Sequence, residues 1–212
     1  MPRAIEAGIR HAGYYHQVIS EADDLYQCGG EAARQGLELF TVELENIRAG
    51  QARAETRSAL LDGFAELCRD YPMHGANFLN LRFHPKEQIS WCEAGLAAAR
   101  RLKDRAAEGA LLSNLGMALD DIGESQRSLE CQQEALKITR EIGDRYGEEQ
   151  TLGNLGASYQ ALNQHESAIE CYENQSKIAE EVGDGRGAAN ALMNVGISRQ
   201  YMGQIKLALD LF

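Results

Sequence analysis

The C-terminal half of the chain repeats itself with a period of 40 residues, and this periodicity restricts the possible folds more than any other feature. Residues 104–143 and 144–183 align without a gap and share 13 identical positions. A third copy begins at Asp184, keeps the same phase and stops at Phe212, partway through its second half. One such unit cannot bury its apolar face alone, so neighbouring units must stack. We therefore divide the chain into residues 1–87 and a repeat region at 88–212, with copies at 104–143, 144–183 and 184–212, the last of them incomplete.

Each copy has the pattern of two helices. In the first copy Leu112, Leu115 and Leu119 recur at spacings of three and four, which is typical of one face of a helix. At the end of the copy, Gly143 suits the left-handed conformation that closes many helices, and Asp144 is a good N-cap for the next one. The sequence thus predicts antiparallel helix pairs joined by Gly-Asp, and an all-α fold without strands.

Three glycines recur inside the first helix of the copies, at Gly116, Gly156 and Gly196. Glycine in a helix interior costs about 1 kcal/mol relative to alanine. Because this cost is repeated at one phase, we expect the partner helix to approach closely at these positions.

The repeated pattern resembles the tetratricopeptide repeat. Its signature places Leu-Gly and an aromatic residue on the first helix, and alanine and an aromatic residue on the second. The matching residues of the second copy are Leu152, Leu155, Gly156 and Tyr159, followed by Ala168 and Tyr172. The first copy departs from the signature, with Ser128 and Gln132 in place of the alanine and the aromatic residue.

The resemblance covers residues 88–212. Because the period is 40 and not the usual 34, the repeats look like the longer-helix subclass that includes kinesin light chains. The resemblance implies an α-solenoid, a right-handed superhelix of antiparallel helix pairs. It also implies a non-catalytic scaffold that binds a peptide or protein partner in a concave groove.

The N-terminal region, residues 1–87, lacks the repeat but has helical patterns. We predict helices at 5–26, 31–47 and 53–69, the last of them ended by Tyr71-Pro72. The paired tyrosines Tyr14 and Tyr15 and the segment 43–49 are similar to the region that precedes the repeat arm in bacterial signal-transduction ATPases with numerous domains (STAND). An alternative function is therefore a sensor or oligomerisation arm of a larger STAND-type ATPase or transcription regulator. This chain has no Gly-x-x-x-x-Gly-Lys-Ser/Thr motif for nucleotide.

Composition excludes several classes of partner. The net charge is −11, which disfavours nucleic acid as a partner, and no apolar run is long enough to cross a membrane.

The N-terminus lacks a secretory signal pattern, so we expect a cytoplasmic location. The five cysteines include no Cys-x-x-Cys pair and are interpreted as buried, reduced thiols.

No set of residues has the spacing of a catalytic or metal site. His165-Glu166 lacks the second histidine of a zinc-binding helix, and the adjacent carboxylates Asp120 and Asp121 diverge on a helix and are more typical of a solvated surface. We therefore expect no enzymatic activity, no metal and no cofactor.

The candidate site is a ladder of asparagines, Asn114, Asn154 and Asn194, two residues before each helical glycine. In the family this phase faces the groove, where a side-chain amide can both donate to and accept from a peptide backbone. The alternative is that each asparagine bonds a neighbouring helix and fixes the repeat. The other residues assigned to the groove by phase are Met117, Asp120, Gln150, Gln160, Asn190, Gln200 and Tyr201.

None of these residues is basic, so we expect a neutral or basic peptide or protein partner and not an acidic one.

A second surface is formed by Leu207, Leu211 and Phe212, which belong to an unfinished helix. We expect self-association through this C-terminal end.

Overall fold

A computed structural model describes residues 2–209, which form helices and no strand. The predicted all-α architecture of antiparallel helix pairs is confirmed. In chain order the helices are α1 Pro2–Gln27, α2 Gly30–Ser58, α3 Asp62–His74, α4 Ala76–Arg82, α5 Pro85–Leu102, α6 Arg105–Asp120, α7 Ser125–Ile142, α8 Arg145–Ala161, α9 His165–Val182, α10 Gly185–Tyr201 and α11 Ile205–Leu209.

The chain forms two compact units, unit 1 at Met1–Leu111 and unit 2 at Leu112–Phe212. Unit 2 begins inside α6, the first helix of the first predicted copy, so residues 104–111 of that copy belong to unit 1. Its helices pack in chain order, α7 on α8, α8 on α9 and α9 on α10. The assignment of residues 88–103 to the repeat region stays a prediction.

The junctions between repeats have the predicted form. Gly143 and Gly183 end α7 and α9 in the left-handed conformation, with φ of 72° and 80°. The side chains of Asp144 and Asp184 then accept hydrogen bonds of 2.9 Å from the backbone N–H of Gly147 and Gly187. Each junction thus satisfies backbone groups at the end of one helix and at the start of the next.

The glycines inside the first helices leave room for a side chain of the second helix. A Cβ atom at Gly156 would lie 2.6 Å from the ring of Tyr172, which is buried to 1% exposure. In the preceding repeat the same space beside Gly116 is filled by the buried Gln132. The predicted close approach is therefore made by a side chain, and the first repeat replaces an aromatic contact with a polar one.

In unit 1, α1 and α2 form a long hairpin around Gly29 and Gly30, both with positive φ. The core beneath it contains Phe40 stacked on Phe78, with ring centroids 4.4 Å apart. Tyr71 is fully buried, and its hydroxyl donates to the carbonyl of Ala12 at 2.8 Å.

The predicted helix at 53–69 was wrong. Helix α2 runs on to Ser58, the chain turns at residues 59–61, and α3 begins at Asp62. This turn lets Phe64 and Cys68 of α3 pack against Ala54 of α2 in one buried cluster. The apolar spacing is helical on both sides of the turn and so did not reveal it.

The predicted end of this helix at Tyr71-Pro72 was also wrong, because α3 continues to His74. Pro72 lies in the last turn of α3, where it removes a single N–H donor. Only two helical residues follow it, so the helix can continue past the proline for this short distance.

The cysteines only partly follow the interpretation as buried thiols. Cys68, Cys92 and Cys171 are buried, Cys131 is half-buried and Cys28 is exposed. Burial raises the pKa of the Cys68 and Cys171 thiols to about 11.

The stability of unit 1 should depend on the protonation of His16. Its Nε2 lies 2.9 Å from Nδ1 of His74, and burial, followed by His74, lowers the pKa of His16 although Asp70 raises it. A histidine with a lowered pKa takes up its proton first in the unfolded chain, so the folded state loses stability as pH falls below about 6.5. We expect the free energy of unfolding to fall between about pH 7 and 5, and His16→Gln to flatten this fall in urea titrations.

His84→Asn is the matched control for His16→Gln. It removes a histidine outside this contact and keeps an acceptor at the N-cap of α5. An equal flattening by both variants would contradict the assignment to His16.

The surface expected at the C-terminal end consists of Leu207, Leu211 and Phe212. Leu207 is 49% exposed, whereas Leu211 and Phe212 lie outside the described residues. Self-association through this end stays a prediction.

Candidate functional site

The first helices of the repeats line a cavity in unit 2 with a volume of about 540 Å³. Helices α6, α8 and α10 contribute to it, and α9 adds one side chain. Five residues assigned to the groove from the sequence lie here, namely Met117, Gln150, Asn154, Asn190 and Asn194. The others that line it are Glu149, Gly153, Ala157, Gln175, Asp184, Arg186 and Gly187.

The remaining predicted residues lie elsewhere. Gln160 and Tyr201 line a second cavity of about 440 Å³ with Ile197 and His165. The ring of Tyr201 stacks on that of His165, with centroids 5.3 Å apart. Asn114, Asp120 and Gln200 line neither cavity.

Asp120 supports the repeat from within. Its Oδ2 accepts hydrogen bonds of 2.7 Å from the hydroxyls of Ser128 and Ser158, both fully buried. Ser128 is the residue that replaces the alanine of the repeat signature. The departure from the signature is thus matched by a buried polar network that joins α7 to α8 through Asp120 of α6.

The asparagines of the ladder differ in their surroundings. The amide of Asn154 donates to Ser113 Oγ at 3.0 Å, and Ser113 is held in turn by Gln132. One repeat later, Gly153 stands where Ser113 stood, so Asn194 has no hydroxyl to bond at that position. The bond to Ser113 supports the structural alternative for Asn154, while Asn194 faces the cavity without this constraint.

Sequence reasoning missed Glu149, Gln175 and Arg186. Two of them lie one helical turn before other residues of the cavity, because residues four apart lie on the same helical face. Glu149 precedes Gly153 by four, and Arg186 precedes Asn190 by four. Gln175 could not be found in this way, since it comes from the second helix of the repeat and reaches the cavity only through tertiary packing.

Arg186 also corrects an expectation about charge. The groove was expected to contain no basic residue, yet this exposed arginine lines the cavity together with the carboxylates of Glu149 and Asp184. The residues of α10 that were assigned to the groove from the sequence begin at Asn190, one helical turn after Arg186.

Family models described as tetratricopeptide repeat match residues 109–142 and 147–212. These segments are tetratricopeptide repeats. No curated protein matches the sequence significantly. Among residues 2–209, no helix is long and apolar enough to cross a membrane.

Solved structures share the fold at low sequence identity. The tetratricopeptide-like repeats of a putative kinesin light chain from Podosopora anserina are 14% identical, with a TM-score of 0.66 over 95% of this chain and 92% of that one. BtubC (BKLC) from P. vanneervenii is 14% identical, with a TM-score of 0.63 over 97% and 88%. A STAND protein with a tetratricopeptide repeat sensor from Pyrococcus horikoshii is 19% identical, with a TM-score of 0.59 over 79% of this chain. This chain spans 26% of that STAND protein.

Proposed function

We propose that this tetratricopeptide-repeat protein is a non-catalytic scaffold that binds an extended segment of a partner protein in the groove of unit 2. The observation that supports this proposal is the cavity of about 540 Å³, which side chains from three successive first helices line. Its lining offers amide groups from Gln150, Asn154, Asn190 and Asn194. Amides both donate and accept, so they suit the N–H and C=O groups of an extended backbone.

The two asparagines of the cavity separate binding from stability. Asn194→Ala should weaken binding several-fold, since each hydrogen bond lost is worth about 1 kcal/mol, and should leave the melting temperature unchanged. Asn154→Ala should weaken binding and also lower the melting temperature, because the amide bond to Ser113 Oγ is lost. The ligand for this test is a synthetic peptide selected on the 212-residue chain from random linear peptides displayed on phage, with affinity measured by calorimetry.

The control is Gln200→Ala, which removes an amide on α10 outside both cavities. It should leave affinity unchanged. If Asn194→Ala binds the peptide like the unaltered chain, the asparagines are structural and the groove proposal is wrong.

A STAND-type sensor or oligomerisation arm is the alternative. The likeness to the Pyrococcus horikoshii protein covers 79% of this chain, which is more than the repeat region at 88–212 contains. It therefore reaches into the N-terminal region where the sequence resemblance was found. The test is the gene sequence upstream of Met1, where an ATPase domain would support the arm and its absence would oppose it.

A further inference from the structure

The cavity contains a buried carboxylate that forms no ion pair with an arginine or lysine of residues 2–209. Glu149 is only 2% exposed, and among the ion pairs of residues 2–209 it takes part in none. The adjacent Glu148 is as deeply buried but pairs with Arg140 and Arg145, at 2.7 and 2.5 Å. Burying a charge is costly unless it is paired and hydrogen-bonded, so Glu149 lacks a partner that its neighbour has.

Gln175 adds a second acceptor beside this carboxylate. Its Nε2 donates to Glu149 Oε1 at 2.6 Å. This bond fixes the orientation of the amide, since the reverse orientation would place two acceptor oxygens together. Gln175 Oε1 therefore remains as a buried acceptor, and no donor of the described residues reaches it.

Two glycines make the space for this pair. A Cβ atom at Gly153 would lie 2.8 Å from Gln175 Nε2, and one at Gly187 would lie 2.8 Å from Glu149 Oε1. Gly187 belongs to the first turn of α10, whose positive dipole end favours a nearby carboxylate. That end is shared with Asp184, which caps the helix through Gly187, so the dipole compensates Glu149 only in part.

We propose that the floor of the cavity, formed by Glu149 and Gln175, receives an arginine or lysine side chain of the bound segment. This inference rests on the proposed function and names the chemistry of the partner. Gln175 Oε1 lacks a donor and the Glu149 carboxylate lacks a charged partner, and a guanidinium can donate to two acceptors at once from a fixed fork. A cation would also supply the positively charged partner that the Glu149 carboxylate lacks. Arg186 is exposed at the cavity, where it disfavours a second basic residue on the segment beside the first.

The test uses random linear peptides displayed on phage and selected on the full chain. The selected peptides should share one basic residue at a fixed position. Glu149→Gln should weaken the best synthetic peptide about 10-fold or more, since a charge-assisted hydrogen bond is lost. Glu180→Gln, which removes an exposed carboxylate on α9 outside the cavity, should change affinity by less than about 2-fold.

A change in the peptide tests the same contact without altering the protein. Replacing the shared arginine by citrulline, which is neutral and nearly the same shape, should weaken binding to the unaltered chain as much as Glu149→Gln does. On the Glu149→Gln variant the two peptides should bind alike. This result stands even if the variant is less stable than the parent.

Three outcomes would overturn the proposal. In the first, the peptides bind more weakly to Asn194→Ala, which places them in the groove, but neither Glu149→Gln nor citrulline changes their affinity. The proposed basic subsite would then be wrong and the proposed groove would stand. In the second, the selected peptides share an acidic residue, which would mean that Arg186, and not Glu149, binds the side chain of the segment. A selection that yields no binding peptide would count against both the subsite and the proposed function.

Discussion

We expect Tyr172→Ala to lower the free energy of unfolding by about 3–5 kcal/mol, the cost of removing a large buried aromatic side chain. Tyr172 is 1% exposed and packs with Ala168 and Val195 in one buried cluster. Its ring also fills the space above Gly156. The loss leaves a cavity between α8, α9 and α10 that the helices cannot close without shifting. Urea denaturation followed by circular dichroism measures the change.

Tyr172→Phe is the matched control for this prediction. The hydroxyl donates to Gln160 Oε1 at 3.3 Å, a long hydrogen bond, so its loss should cost less than about 1 kcal/mol. A similar loss of stability in both variants would mean that the hydroxyl, and not the ring, holds the repeat together. A negligible loss in Tyr172→Ala would contradict the packing described for unit 2.

Gly36→Ala should destabilise the hairpin of α1 and α2 by about 1–3 kcal/mol, the usual range for overpacking a core. Gly36 is buried in α2, and a Cβ atom there would lie 2.5 Å from the carbonyl oxygen of Ala22 in α1. Because that contact is with backbone, it can be relieved only by moving one helix away from the other. The measurement is again urea denaturation, with near-ultraviolet circular dichroism as a probe of the aromatic core.

Gly13→Ala makes the same substitution where there is room. Gly13 lies within α1, and a Cβ atom there would meet no atom within 4 Å. Alanine should then stabilise the helix by about 1 kcal/mol, the difference in helix propensity. If Gly36→Ala stabilises the chain as Gly13→Ala does, helix propensity rather than helix contact governs Gly36.

Local patterns predicted the helices of the repeats well and those of the N-terminal region less well. The Gly-Asp junctions at Gly143 and Gly183 were predicted from two adjacent residues, because capping is decided within one turn of helix. The turn at residues 59–61 was missed, because it accompanies the tertiary packing of Phe64 and Cys68 against Ala54. No local sequence pattern shows which residues of two helices pack against each other.

The sequence by itself determined the period of 40 residues, the helix pair in each repeat and the resemblance to the tetratricopeptide repeat. All three depend on spacings within one or two helical turns and on exact recurrence along the chain. The tertiary structure decided which side chains meet in the groove. Glu149 and Gln175 are 26 residues apart, and Asn154 and Ser113 are 41 apart, so their hydrogen bonds depend on how neighbouring helices pack. For the same reason Asn154 and Asn194, equivalent in sequence, have different surroundings once Gly153 replaces a serine.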